Sequence, residues 1–197
     1  MAPKKHTEKL EKPDNLFVLS GPSGVGKNTV AERLCKRDQV TRAITATTRD
    51  PRNGEKEGED YYFVDEKKFQ QWIEDGKLLE HNRYDDNDYG TPAFSVNEAA
   101  KHKKPVILVI DVNGALKIRE QYPEVTLIFL APPDERELER RLRDRGDEDE
   151  KQLEYRLDRA REEMKLMDKY DRVVTNDSLE RAVKEVAKIV ENQSDSS

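Results

Sequence analysis

A short stretch near the amino terminus has the residue types and spacing needed to hold a polyphosphate. In the sequence GPSGVGK, four residues separate Gly21 from Gly26, and Lys27 follows directly. Glycines let consecutive backbone N–H groups surround phosphate oxygens, and a lysine at this point reaches the terminal phosphates. An apolar run precedes the turn and a helix-like run follows it. The spacing predicts a P-loop for a nucleoside triphosphate, formed by Gly21, Pro22, Ser23, Gly24, Val25, Gly26, Lys27, Asn28 and Thr29.

The residue after the lysine departs from the usual motif. A Ser or Thr hydroxyl normally contacts Mg²⁺ there, but this chain has Asn28, and Thr29 comes one residue too late. Two arrangements are open: the Asn28 amide oxygen contacts the ion, or phosphates and water hold it without a protein ligand. We therefore expect Mg²⁺ to accompany the triphosphate and leave its protein ligands unassigned.

A second stretch has the residues to bind a separate phosphate. Arg49 and Arg52 lie three residues apart among Thr and Tyr side chains, and Gly54 and Gly58 follow them. Two arginines at this spacing can hold one phosphate from two sides through charge-assisted hydrogen bonds. The alternative is that they are solvated surface charges. The glycine-rich surroundings favour the binding role.

The elements that must position these residues follow from the apolar pattern. Runs of Val, Ile and Leu that are continuous rather than alternating predict strands buried on both faces, as in a parallel sheet. Helical patterns with short connections separate these runs, which predicts an α/β fold with one parallel sheet flanked by helices. The four runs are 16–19, 106–110, 126–130 and 173–174.

Two stretches interrupt this alternation. Residues 45–93 combine short alternating pieces with one helix-like segment at 67–76, which predicts a small inserted α+β subdomain. Residues from about 136 to 161 are rich in arginine and acids, which predicts a helical lid that moves in part. The core is then 15–44 and 94–191, and we expect a disordered arm at 1–14 and a disordered tail at 192–197.

Composition excludes several classes of protein. A chain of 197 residues corresponds to one domain, or to one domain with an insertion. Its single cysteine, Cys35, excludes an intrachain disulfide and a multi-cysteine zinc site. A net charge of −6 argues against non-specific nucleic-acid binding, and no apolar run approaches the ~20 residues of a membrane span. We expect a cytoplasmic protein with no nucleic-acid or membrane partner and no obligate protein partner.

Taken together, the motifs resemble those of guanylate kinases over about residues 16–191. The resemblance rests on GPSGVGK, TATTRDPRNGEKEGEDYYF, DYGT at 88–91, VIDVNGAL, ERRLRDRG and VTNDSLERA. It implies a P-loop kinase core with a GMP-binding insertion and a lid. It also implies transfer of the γ-phosphoryl of ATP to GMP, giving ADP and GDP, with Mg²⁺ as cofactor; whether dGMP also serves as acceptor is open.

The resemblance implies a set of residues for the acceptor nucleotide. Glu80 accepts from guanine N1–H and its N2 amine, and the Thr91 hydroxyl donates to O6; a surface glutamate is the alternative for Glu80. Asp111 lies between guanine and the water around the metal, or caps a helix, or does both. The implied GMP-binding residues are Thr45, Arg49, Arg52, Tyr61, Glu80, Tyr89, Thr91 and Asp111.

The resemblance also implies the catalytic cations and the adenine contact. Arg141 and Arg145 are four residues apart, which predicts one helical face with Gly146 as a cap, although salt bridges to nearby acids would explain them too. Asn176 lies beside the adenine of ATP. Val109 stands where the family commonly has an acid, which removes a negative group near Mg²⁺. The implied catalytic residues are Lys27, Arg49, Arg141, Arg145 and Arg156, and the implied ATP-binding residues add Arg141, Arg145 and Asn176 to the P-loop.

Two other functions compete with this one. Scaffold domains of the guanylate-kinase type keep the fold but bind proteins, and they usually lack an intact P-loop. A kinase with another phosphate acceptor is the second alternative. The presence of Gly21, Gly26, Lys27, Arg141 and Arg145 favours an enzyme over a scaffold, and the implied acceptor residues argue against another substrate.

Overall fold

The computed structural model describes residues 15–84, 86–144 and 150–194. Its strands are β1 (Leu16–Ser20), β2 (Thr41–Arg42), β3 (Ala46–Thr47), β4 (Tyr62–Phe63), β5 (Leu78–Tyr84), β6 (Asn87–Pro92), β7 (Val106–Val109), β8 (Thr126–Ala131) and β9 (Arg172–Thr175). Its helices are α1 (Lys27–Lys36), α2 (Glu66–Glu74), α3 (Ala93–Ala100), α4 (Val112–Gln121), α5 (Glu135–Arg143), α6 (Glu150–Met164) and α7 (Leu179–Ser194), with a 3₁₀ turn at Met167–Lys169.

The larger sheet contains five strands, all parallel, in the order β2-β7-β1-β8-β9. The central strand β1 pairs with β7 on one side and β8 on the other, so that Leu19 lies opposite Val109 and Ile128. All residues of these three strands are buried, which explains their continuous apolar runs. The predicted α/β fold is confirmed. The sequence analysis missed strand β2, because its two residues are only half-buried and form no apolar run.

Helices cover both faces of this sheet. Because side chains alternate along a strand, Phe17 and Leu19 point to one face and Leu16 and Val18 to the other. The first pair packs with apolar residues of α1 and α7, and the second with apolar residues of α3 and α4. Because the strands are parallel, their carboxyl ends lie at the same edge of the sheet, which is where ligands bind in open α/β sheets.

The insertion forms its own four-stranded sheet, in the order β4-β3-β6-β5. The antiparallel pair of β5 and β6 places Glu80 opposite Thr91. Helix α2 begins after Asp65, whose side chain accepts a hydrogen bond from the Lys68 amide at 2.6 Å, and it buries Phe69 against the sheet. The helix begins one residue earlier than the predicted segment 67–76 and ends two residues earlier than that segment does.

Helices α5 and α6 form the region predicted as a lid. They pack against each other through a separate apolar cluster of Leu138, Leu142, Leu153, Leu157 and Ala160. Helix α5 ends at Arg143 with Asp144 as its C-cap, earlier than the sequence predicted. Arg145 and Gly146 lie outside the described residues, so the helical face shared by Arg141 and Arg145 and the cap at Gly146 stay predictions.

The carboxyl-terminal boundary differs from the prediction. Helix α7 continues through Ser194, so residues 192–194 are helical where a disordered tail was expected. Its apolar stripe against the sheet continues to Val190, which keeps the last turns helical. The predicted arm at 1–14 and residues 195–197 lie outside the described residues. Among the described helices, none has the length and apolar character required to cross a membrane.

Candidate active site

The P-loop follows β1 at the carboxyl edge of the larger sheet and leads directly into α1. Gly21, Gly24 and Gly26 have φ values of +140°, +83° and +98°, which L side chains rarely adopt. A Cβ on Gly21 would lie 2.2 Å from the Leu130 carbonyl oxygen, so only glycine fits between β1 and β8. Gly26 is the N-cap of α1, which places the positive end of the helix dipole at the loop.

Lys27 lies folded over this loop. Its Nζ donates to the carbonyl oxygens of Gly21 at 2.6 Å and Pro22 at 3.0 Å. The ammonium group is therefore held within the ring of main-chain atoms that would surround a phosphate. Asn28 and Thr29 are exposed in the first turn of α1.

Two side chains predicted to bind ATP are hydrogen-bonded to the P-loop or to each other. Asn176 is buried, and its Nδ2 donates to the Val25 carbonyl at 2.8 Å. Arg141 donates to the Asn176 carbonyl at 2.8 Å, to the Val25 carbonyl at 3.3 Å and to Glu137 at 2.8 Å. The Glu137 pair is the salt bridge that the sequence offered as the alternative for Arg141, and the structure adds contacts with the loop. Hydrogen bonds from Arg140 and Arg141 lower the pKa of Glu137 to about 2.

On the insertion, the Arg49 guanidinium is held by a carboxylate. Its Nη2 lies 2.9 and 3.0 Å from the two Glu55 oxygens, and Glu55 also accepts from the Arg52 amide at 2.7 Å. The Arg49 side chain is only 14% exposed, whereas Arg52 is exposed. One guanidinium paired with a carboxylate and one exposed guanidinium therefore lie at the same loop, as binding of a phosphate from two sides requires.

Aromatic side chains line the same end of the insertion. The Arg49 Cζ lies 5.6 Å from the centroid of Tyr61, and the Tyr61 and Tyr89 rings meet edge to face at 6.3 Å. Tyr84 meets Tyr89 in the same way at 6.4 Å. Thr45 is buried close by, and its carbonyl accepts from the Tyr62 amide at 2.8 Å.

A buried polar cluster joins the insertion to the core. Glu80 is 5% exposed and accepts from the Thr91 hydroxyl at 2.6 Å, which excludes the surface-glutamate alternative. A Cβ on Gly114 would lie 2.7 Å from Glu80 Oε2, so this glycine leaves room for the carboxylate against α4. Burial, opposed by the Thr91 bond and reinforced by the charge of Asp111, raises the pKa of Glu80 to about 7.

Asp111 connects this cluster to the end of β7. One carboxylate oxygen accepts from the Gly114 amide at 2.8 Å. Asp111 therefore caps α4, which was one of the two roles predicted for it. The other oxygen accepts from the Asn82 amide at 3.1 Å. Asn82 was missed by the sequence analysis, although the two-residue period of a strand places it on the same face as Glu80.

Helix α6 presents a charged face to the insertion. The Arg156 Cζ lies 5.9 Å from the centroid of Tyr84, and the Arg159 Cζ lies 4.1 Å from it. Arg159 also forms an ion pair with Glu163 at 3.0 Å. Burial raises the pKa of Glu163, while the charges of Arg159 and Lys27 lower it. Residues 156, 159 and 163 share one helical face, a spacing that could have identified the last two.

The predicted residues thus form two groups. The P-loop group contains Lys27 with Arg141 and Asn176. The insertion group contains the residues predicted for the acceptor, together with Asp111, which follows β7 of the core. Arg156 lies beside the insertion group, and Arg145 is outside the described residues.

The residues of the site suit a magnesium ion carried by a ligand better than one held by the protein. Within the described ranges, no group of three or more His, Cys, Asp or Glu side chains is placed to hold a metal. Both Asp111 oxygens accept hydrogen bonds from protein groups, and Val109 provides no ligand. The exposed Asn28 amide is compatible with a single contact. Mg²⁺ often keeps several waters and binds through phosphates, which fits these residues.

Comparison with known proteins agrees with this geometry. A family model described as guanylate kinase matches residues 13–193. The chain is 48% identical to a guanylate kinase of Shouchella clausii over 89% of this chain and 86% of that protein. It is 43% identical to one of Prochlorococcus marinus strain MIT 9312 over 92% of this chain and 100% of that protein.

A solved structure gives the same result for the fold. The crystal structure of guanylate kinase from Anaplasma phagocytophilum superposes with a TM-score of 0.75 at 34% identity, covering 91% of this chain and 85% of that one. The region that matches this family, residues 13–193, therefore contains the glycine-rich P-loop, the inserted four-stranded sheet and the buried Glu80–Thr91 pair. The chain belongs to the guanylate kinase family.

Proposed function

We propose that this chain transfers the γ-phosphoryl group of ATP to GMP and forms ADP and GDP. The buried Glu80–Thr91 pair carries the proposal, because it supplies a carboxylate acceptor beside a hydroxyl at the inner end of the insertion. Guanine has two adjacent donors, N1–H and the N2 amine, next to the O6 acceptor. Adenine has an amine in place of O6 and lacks the N2 amine, so the pair distinguishes the two bases.

The other end of the insertion then holds the acceptor phosphate. Arg49 and Arg52 would bind it from two sides, with Tyr61 and Tyr89 as hydroxyl donors and Thr45 at the edge of the pocket. Both Glu55 carboxylate oxygens already accept from Arg49 Nη2, which supports binding of an oxyanion by this guanidinium. Asp111, fixed by Asn82 and the α4 amide, would lie between the base and the triphosphate.

ATP would lie on the P-loop, with Mg²⁺ bound to its phosphates as part of the co-substrate. A GMP phosphate oxygen attacks the γ-phosphorus, the bond to the bridging oxygen breaks, and its electron pair stays on ADP. Lys27 and arginines that include Arg141, Arg145 and Arg156 would stabilise the charge on the transferring group. Arg145 enters by resemblance alone. No side-chain nucleophile is required.

The assay uses the purified full-length chain with MgATP and each of GMP, AMP, CMP and UMP. We expect GMP to react at least about a hundredfold faster, since a site built to hydrogen-bond one base leaves buried polar groups unpaired with another. Equal rates with all four would contradict base recognition by Glu80 and Thr91. GMP binding without turnover would instead indicate a binding module. A cytoplasmic location is proposed with this function, consistent with a chain whose single cysteine is free.

A further inference from the structure

An arginine outside the proposed catalytic set contacts the acceptor lobe. The Arg159 guanidinium of α6 lies 4.1 Å from the centroid of the Tyr84 ring, well within the range of a cation–π interaction. Tyr84 is the last residue of β5, and strand alternation places it on the same face as Glu80 and Asn82. Arg159 therefore contacts the row of side chains that begins at the base-reading carboxylate.

From Tyr84, ring contacts continue to the phosphate end of the insertion. Tyr84 meets Tyr89 at 6.4 Å with an interplanar angle of 84°, and Tyr89 meets Tyr61 at 6.3 Å and 71°. The Tyr61 ring in turn lies 5.6 Å from the Arg49 Cζ. Each contact is an edge-to-face or cation–π arrangement of favourable geometry. A continuous series of side chains thus joins α6 to the residues proposed to hold the GMP phosphate.

Arg159 is itself held in place. Its Nε donates to Glu163 one helical turn away at 3.0 Å, and the two side chains are only 20% and 12% exposed. A guanidinium that is paired and stacked has a fixed orientation, which suits it to hold a neighbouring ring. A fixed guanidinium is less able to follow a phosphoryl group that moves between two substrates.

We propose that Arg159 is a positioning residue for the acceptor nucleotide, which holds Tyr84 and, through it, the tyrosines at the monophosphate end of the pocket. The inference rests on the proposed function, because it takes the insertion as the GMP site. Arg159 then affects GMP binding more than ATP binding, since Asn176 and Arg141 brace the P-loop separately.

The first experiment compares Arg159→Gln, Arg159→Lys and Arg161→Gln. Arg161 is a matched control on the same helix, because it is exposed and paired with Glu135 and Asp158. We expect Arg159→Gln to raise the KM and the calorimetric Kd for GMP about five- to tenfold, the loss expected for one partly desolvated cation–π contact. Arg159→Lys should recover part of this loss, and Arg161→Gln should behave as the wild type.

The two kinetic constants distinguish positioning from direct catalysis. We expect Arg159→Gln to leave the KM for ATP within about twofold and kcat within about threefold, since the residue acts on one substrate only. A lower kcat with an unchanged KM for GMP would mean that the guanidinium acts on the reacting phosphates, and would overturn the proposal. An unchanged Kd for GMP would also overturn it.

A double-mutant cycle tests the route through Tyr84. If Arg159 acts through this ring, Arg159→Gln combined with Tyr84→Leu should be no worse than the larger single effect, and Tyr84→Phe should stay close to the wild type. Additive losses would overturn the route. Thermal unfolding of each variant checks that it is folded. Absence of turnover in the wild type and Arg161→Gln would refute the proposed function alone, because the Kd for GMP still tests Arg159.

Discussion

The P-loop and the insertion both have the character of anion sites, but they are built from different parts of the chain. The P-loop is made of main-chain atoms at glycines with positive φ, and the core strand β8 lies against it. The insertion is made of side chains on a small second sheet, with arginines, tyrosines and one buried carboxylate. Shape therefore determines the first site, whereas charge and hydrogen-bond polarity determine the second.

This difference predicts how each region responds to mutation. A main-chain site that is continuous with the core cannot be altered without disturbing the fold. A side-chain site on a separate sheet can lose specificity while the fold stays intact. The following four experiments test that distinction, from the largest expected effect to the smallest.

The largest effect is expected for Gly21→Ala. Its Cβ would overlap the Leu130 carbonyl oxygen at 2.2 Å, and neither backbone can move without disturbing β1 or β8. We expect the free energy of unfolding to fall by about 4 kcal/mol or more. The matched control is Gly54→Ala in the insertion, where φ is +88° and no described atom lies within 4 Å of the Cβ. It should cost only about 1–2 kcal/mol, and equal losses in urea unfolding would remove the distinction.

Glu80→Gln should separate function from stability. The variant replaces the carboxylate that accepts two guanine donors, so we expect kcat/KM for GMP to fall about a hundredfold. Because the pKa of Glu80 is raised to about 7 by burial, the ionised wild type carries a buried charge at pH 8. Loss of that charge should raise the free energy of unfolding by about 1–3 kcal/mol. A variant that is both less stable and fully active would refute the assignment.

Asn176→Ala and Arg49→Lys should have opposite substrate dependence. The first removes the shorter of the two side-chain hydrogen bonds to the buried Val25 carbonyl and leaves only the 3.3 Å bond from Arg141, so it should raise the KM for ATP about tenfold with little change for GMP. The second replaces the planar guanidinium paired with Glu55 by a point charge, and should raise the KM for GMP about tenfold with little change for ATP. Steady-state kinetics with each substrate varied in turn measures both, and parallel changes in both KM values would contradict two independent sites.

The smallest effect is a pH dependence confined to the insertion. Only the ionised Glu80 accepts from guanine, so the KM for GMP should rise as pH falls below about 7, by at most about tenfold per unit. The free energy of unfolding should change in the opposite sense. A raised pKa means that the folded protein binds the proton more tightly than the unfolded chain does. The free energy of unfolding should therefore fall as pH rises from about 4.5 to about 7. Asp111→Asn should shift the midpoint to lower pH, because the Asp111 charge helps to raise this pKa.

The control for this profile is Glu80→Gln. Titration of the GMP phosphate contributes equally to both proteins, so only the difference between the two profiles reports on Glu80. The KM for ATP should show no such difference. An identical pH dependence in wild type and Glu80→Gln would show that another group titrates.

The sequence-based predictions were more accurate where local conformational preference determines the structure than where contacts between side chains determine it. The stretch around GPSGVGK was predicted as a strand, a turn and a helix from local conformational preference, and all three occur in that order, although α1 begins at Lys27, inside the predicted loop. Three of the four predicted strands are buried throughout, because burial on both faces leaves a continuous apolar run. The fourth run, 173–174, was wrongly predicted to be buried: it lies in the edge strand β9, where Val174 is buried but Val173 is exposed. In the lid, an arginine spacing of four suggested a helix through Arg145, but α5 ends at Arg143. Charge spacing alone does not determine where a helix ends.

Partners across the fold were the hardest to predict. Asn82 meets Asp111 only because β5 of the insertion lies beside α4 of the core, and Arg159 meets Tyr84 only because α6 faces the β5–β6 hairpin. Asn176 and Arg141 have roles in bracing the loop that depend on where β9 and α5 end.

The sequence by itself determined the features that depend on neighbours along the chain: the P-loop conformation, the buried strands, the separate insertion and the pair of phosphate-binding arginines. Tertiary structure decided which side chains share an environment. It buried Glu80 beside Thr91 and Asp111, and so raised its pKa, and it brought α6 against the aromatic rings of the insertion. The physical reason is that desolvation and pairwise electrostatics depend on distance in space, which local preference and periodicity do not encode.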